Sequence, residues 1–95
     1  MTKIRRTLWE LPKNSKRILD YLEYTTLPAG EVTMARVGRE LGLNSNQLNY
    51  AMRNLRRHNL VNEVSALGHK MSAKTLSVNA DIVERSDIKE LIHNV

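Results

Sequence analysis

Apolar residues recur every three to four positions over the first sixty residues and at every second position after that. The chain therefore reads as helices followed by a small sheet. In MTKIRRTLWELP, Ile4, Leu8 and Leu11 keep helical spacing and Pro12 marks the end. The segment suits a short packed helix or a flexible basic arm, and Trp9 favours packing. A second helix starts at an N-cap supplied by Asn14 or Ser15 and buries Ile18, Leu19 and Leu22. It stops before Leu27-Pro28-Ala29-Gly30. Glu31-Val32 has room only for a minor edge strand.

Thr33 is suited to cap a third helix with Met34, Val37, Gly38 and Leu41 on its inner face. Gly42 fits the left-handed position that ends such a helix, and Leu43 is expected to be buried. Asn44 or Ser45 then caps a fourth helix running to about His58, and Asn59 tolerates the left-handed conformation. Beyond it the period is two. Leu60, Asn62 and Val64 alternate with Val61, Glu63 and Ser65, while Leu76 and Val78 alternate with Thr75 and Ser77. These predict two strands joined through Ala66-Leu67-Gly68-His69-Lys70, with Asn62 breaking the apolar face. In the last helix Asp87 and Glu90 resemble a capping box, and Ile88, Leu91, Ile92 and Val95 form an apolar stripe.

The helix from Asn46 to Arg57 carries the most specific pattern. At about 100° per residue, Leu48, Ala51, Met52 and Leu55 fall in one arc, and Asn46, Tyr50, Arg53 and Arg57 fall almost opposite. Asn49 and Arg56 lie on one flank, Gln47 and Asn54 on the other. An ordinary solvated face mixes Glu and Lys in i,i+4 pairs. This one has no acid, and its cations are all Arg. Arg can bond guanine O6 and N7 bidentately, and Asn or Gln can do the same to adenine N6 and N7. Asn46, Gln47, Asn49, Tyr50 and Arg53 are therefore the expected base contacts, with Arg56 and Arg57 on phosphates. Ser45 offers its hydroxyl and the adjacent N–H groups to a phosphate. Arg36 and Arg39 lie on the outward side of the preceding helix, within reach of the DNA backbone. Six phosphate-neutralising cations imply a slope of log K against log salt of about −5.

Charge agrees with that direction. The 95 residues carry 15 Lys and Arg against 10 Asp and Glu, a net +5, with pI ≈ 9.9. Thirteen of those cations but only six of the acids fall in residues 1–80, leaving that stretch at +7 and the C-terminal fifteen residues at −2. A basic body is the usual footprint of a nucleic-acid binder. The length fits one domain, 1–95. Within it, 1–13 form a basic N-terminal helix or arm, 14–80 the core, and 81–95 a C-terminal helix. There are no cysteines, which fits a reducing cytosol. No apolar run approaches a membrane span, and no signal-peptide pattern is evident. The expected location is the cytoplasm, associated with the nucleoid.

Catalytic and cofactor motifs find no support. His58, His69 and His93 are far apart, the spacing of a zinc site is absent, and no phosphate-binding glycine loop occurs. The expectation is a protein that is not an enzyme and needs no cofactor or metal.

The order helix, helix, turn, helix, then hairpin resembles the winged helix-turn-helix domain of many small bacterial, archaeal and phage regulators. Val37 and Leu41 match its buried sites and Gly38 its close-approach residue. Gly42 and Leu43 match its turn, Leu48 its recognition-helix anchor, and Leu60-Val61 its step into the wing. The likeness covers roughly residues 14–80. It implies a mainly α fold with a small β-hairpin (α+β): a three-helix core, a two-stranded wing and a C-terminal helix. It also implies a wing tip at His69 and Lys70 that approaches the minor groove. The expected partner is double-stranded DNA. The expected assembly is a homodimer through Ile88, Leu91, Ile92 and Val95, helped by Ile4, Leu8 and Leu11. The expected role is that of a transcriptional regulator repressing by promoter or operator occupancy, or of a plasmid or phage replication or partition protein. The alternative is a protein-interaction module within a larger complex.

Overall fold

The computed structural model describes residues 3–65 and 74–93, without the side chains of Lys3, Arg5 and residues 90–93. Five α-helices lie among them: α1 (Lys3–Glu10), α2 (Lys13–Tyr24), α3 (Met34–Leu41), α4 (Ser45–Arg57) and α5 (Arg85–His93). A 3₁₀ turn (Ala29–Glu31) follows α2. The strands β1 (Val61–Val64) and β2 (Thr75–Val78) pair antiparallel, Val61 opposite Val78 and Val64 opposite Thr75. The fold is mostly helical with one small sheet.

Helix α2 is the hub, packing against α3, α4, α5 and β2. It buries Ile18 and Leu19 completely and Leu22 in part. Each full burial of such a side chain stabilises by about 1.5–3 kcal/mol. Its start differs from expectation. Pro12 stands at the N-cap without a side-chain cap bond. Because the helix already begins at Lys13, Asn14 and Ser15 lie within its first turn and neither is its cap. Asn14 instead accepts from Arg17, whose second nitrogen donates to the Leu41 carbonyl at the end of α3 at 2.8 Å. Ser15 is fully buried and its hydroxyl donates to the Ala51 carbonyl of α4 at 2.9 Å. A hydroxyl is small enough to let two helices approach, and this bond satisfies it.

Helix α1 is a packed element, not an arm: Leu8 is 0% exposed and Leu11 is buried. Trp9 corrects the sequence reading. It stays 40% exposed, with the Lys16 ammonium 5.1 Å from its ring centroid. The chain then turns so that Val32–Met34 runs beside β2. Met34 N–H donates to the Lys74 carbonyl and Leu76 N–H to the Val32 carbonyl, both at 2.9 Å. A single bridge, Thr33 to Thr75, is all the edge strand that forms there.

The strand phase also differs. Leu60 and Val61 are both buried, because Asn59 at φ 55 bends the chain between helix and strand. The inner face of β1 is Val61 and Glu63, and Asn62 and Val64 point outward. At the last helix, Asp87 is the third helical residue, not the cap: its carboxylate accepts from the Glu84 N–H at 3.2 Å. Ile88 is 0% exposed in a helix held against α1 and α2, where Arg85 stacks on Tyr24 and pairs with Glu23. Ile88, Leu8 and Leu11 are therefore buried in the core of the single chain. The side chains of Leu91, Ile92 and Val95 fall outside the described residues.

Candidate nucleic-acid interface

Two local devices fix the geometry of α3 and α4. The Thr33 hydroxyl caps α3 by accepting from Arg36 N–H at 3.2 Å. Gly42, at φ 67, ends it in the left-handed region where a side chain is strained. The two helices then approach closely at Gly38. A Cβ built there would stand 3.0 Å from Leu48 Cδ2 and 3.6 Å from the Leu43 carbonyl. Leu43 itself is half-buried, with less cover than expected.

Helix α4 begins at a complete capping box. Asn44 Oδ1 accepts from Gln47 N–H at 2.8 Å, and Gln47 Oε1 accepts from Asn44 N–H at 2.9 Å. Ala51, Met52 and Leu55 are 0% exposed beneath it. The opposite face is open: Ser45, Asn46, Asn49, Tyr50, Arg53 and Arg57 are all exposed, Tyr50 by 57%. Asn54 donates to the Tyr50 carbonyl at 3.0 Å.

A groove of about 420 Å³ runs between α3 and α4 and brings Arg39 together with Ser45 and Asn49 over an apolar floor that includes Leu43 and Leu48. Arg57 and His58 instead line a cleft of about 260 Å³ shared with Thr7 and Glu10 of α1. Arg39, Arg53 and Arg57 are exposed and make no ion pair with a described residue.

Three expected contacts, Gln47, Arg36 and Arg56, have internal partners, and a fourth case, the wing tip, lies outside the described residues. Gln47 keeps its amide oxygen in the cap, so bidentate pairing with adenine would require opening that cap. Arg36 is half-buried, its Nε 3.9 Å from Glu40 Oε1 and without a hydrogen bond. Arg56 is bound bidentately by Glu63 of β1, Nε to Oε2 at 2.8 Å and Nη2 to Oε1 at 2.7 Å. Those hydrogen bonds raise the Arg56 pKa and hold the Glu63 carboxyl below its ordinary value, outweighing partial burial. The wing-tip residues of that fourth case are His69 and Lys70. Glu63 is the residue that sequence reasoning missed. It lies outside the acid-free helix, and the strand phase expected from the sequence put it on the face opposite Leu60, Asn62 and Val64, so nothing in the pattern pointed to it.

Comparison of the chain with protein-family models, curated proteins and solved structures returns no match. Among the described residues no group of His, Cys, Asp and Glu could hold a metal ion, and no helix is long and apolar enough to cross a membrane.

Proposed function

We propose that this chain binds double-stranded DNA through the exposed face of α4, as a winged helix-turn-helix protein. The observation that carries the reading is the combination of Asn46, Asn49, Tyr50, Arg53 and Arg57 on one exposed, acid-free face with Ala51, Met52 and Leu55 fully buried behind it. A helix anchored on one side and bearing amide and guanidinium groups on the other suits insertion into a major groove. The α3–Gly42–α4 hinge, the close approach at Gly38 and the backbone bridge of Val32–Met34 to β2 support the same architecture. Ser45 and Arg39 flank the helix start, where phosphates approach. The biological role that fits is a small transcriptional regulator acting by site occupancy, or a replication or partition protein using the same surface.

The internal pairing of Arg56 and Arg36 lowers the expected electrostatic count. The three exposed arginines without an ion pair to a described residue, Arg39, Arg53 and Arg57, by themselves give a slope of log K against log salt of about −3, and a phosphate contact by Arg56 would bring it to about −4. Fluorescence anisotropy of labelled random-sequence duplex over a salt series measures it. No binding at about 50 mM salt, where counterion release favours association most, would overturn the proposal. Site selection from random duplexes then gives the sequence read.

A further inference from the structure

Among the acids near the candidate surface, Glu63 is the one that grips an arginine of α4 bidentately. On a protein that attracts DNA, a carboxylate beside an arginine cancels a useful charge. Glu63 nevertheless stands there with its side chain 18% exposed, gripping Arg56 through both oxygens. The grip is side-on: it takes Nε–H and one N–H of Nη2. A guanidinium has five N–H donors in a rigid plane, so three remain. Two of those form the Nη1/Nη2 edge that meets a pair of acceptors end-on. Arg56 remains 35% exposed at its side chain, so its head is reachable from solvent. A free arginine must order a long flexible stem when it binds, whereas this one is already held.

We infer that Glu63 is a positioning residue for DNA, fixing Arg56 side-on so that its remaining edge is presented to a pair of phosphate oxygens beside α4. The inference rests on the DNA-binding reading above. The rival, that Glu63 masks Arg56, predicts the opposite sign on mutation, which makes the pair testable.

The experiment titrates labelled duplex with wild type, Glu63→Gln, Arg56→Lys, Arg56→Ala and the Glu63→Gln/Arg56→Ala double variant, from about 50 to about 200 mM salt. Thermal melts of each variant keep the binding measurements well below unfolding. Positioning predicts that Glu63→Gln binds at least about five-fold weaker although it removes a negative charge, since a charge-assisted hydrogen bond to a phosphate is worth more than that factor. Arg56→Lys keeps the charge but not the fork, and is expected to weaken binding similarly. Arg56→Ala is expected to flatten the salt slope by about 1, a change that a purely structural defect does not produce. The Glu63→Gln effect should vanish in the Arg56→Ala background. Equal or tighter binding by Glu63→Gln overturns positioning in favour of masking. A loss confined to one preferred sequence with an unchanged salt slope overturns the phosphate assignment. Absence of wild-type binding to any duplex overturns the DNA reading itself, and this inference with it.

Discussion

Replacing Gly38 by valine drives a wedge between α3 and α4, and the structure sets its size. The Cβ alone would stand 3.0 Å from Leu48 Cδ2 and 3.6 Å from the Leu43 carbonyl. Leu48 is only half-buried, so its methyl can yield a few tenths of an ångström to an alanine. Alanine also recovers about 1 kcal/mol by removing a glycine from a helix interior. Gly38→Ala should therefore stay within about 1 kcal/mol of wild type, well inside what one flexible contact can absorb. Valine adds two methyl groups beyond that Cβ and has one strongly favoured helix rotamer. Overpacking of this kind costs about 1–3 kcal/mol. At about 4–8 °C per kcal/mol for a domain of this size, melting followed by circular dichroism should fall by roughly 5–20 °C. A Gly38→Val protein that melts within about 2 °C of wild type would refute the close approach of these helices.

Other expectations test neighbouring parts of the same frame. Asn44→Ala removes the side-chain acceptor of the Gln47 N–H in the capping box of α4, leaving only the bond from the residue 44 N–H to Gln47, and should cost about 1 kcal/mol; an unchanged urea midpoint would contradict the role given to that cap. Gly42→Ala places a Cβ at φ 67 and should lower stability by about 1 kcal/mol, measured in the same way. Glu63 is held below its ordinary value of 4.5, chiefly by the Arg56 hydrogen bonds and further by the charges of Arg56 and Lys74, against partial burial. A carboxyl with a lowered folded pKa stabilises above its unfolded value and loses that contribution as pH falls through the folded one. Glu63→Gln should therefore flatten the loss of stability below about pH 4.5, and acid titrations running parallel to wild type would refute it.

Much of this frame was legible in the sequence because its causes are local. Thr33, Gly42 and Asn59 act through their own backbone angles or the next turn, so residue type alone points to them. The 3.6-residue period likewise assigns Ala51, Met52 and Leu55 to the core and Arg53 and Arg57 to solvent. What escaped depends on distant partners. Ser15 is a good cap by type, but its position puts it against Ala51, 36 residues away. Arg56 is in type a phosphate ligand, yet a carboxylate from β1 reaches it across the helix–strand bend. That bend at Asn59 also shifted the strand phase by burying Leu60 and Val61 together. Ile88 read as part of a C-terminal stripe and Leu8 and Leu11 as part of a separate N-terminal one because nothing in the pattern says that α1 and α5 pack against one another.

The claim that α4 reads DNA with its open face is tested most directly by two charge-matched double variants. Arg53→Ala with Arg57→Ala removes two cations from the face. Lys13→Ala with Lys89→Ala removes two exposed cations elsewhere. Anisotropy titrations on a selected duplex should show a severe loss for the first pair and a salt slope flatter by about 2, with the second pair within a few-fold of wild type. Equal losses for the two pairs, or none for the first, would contradict the account.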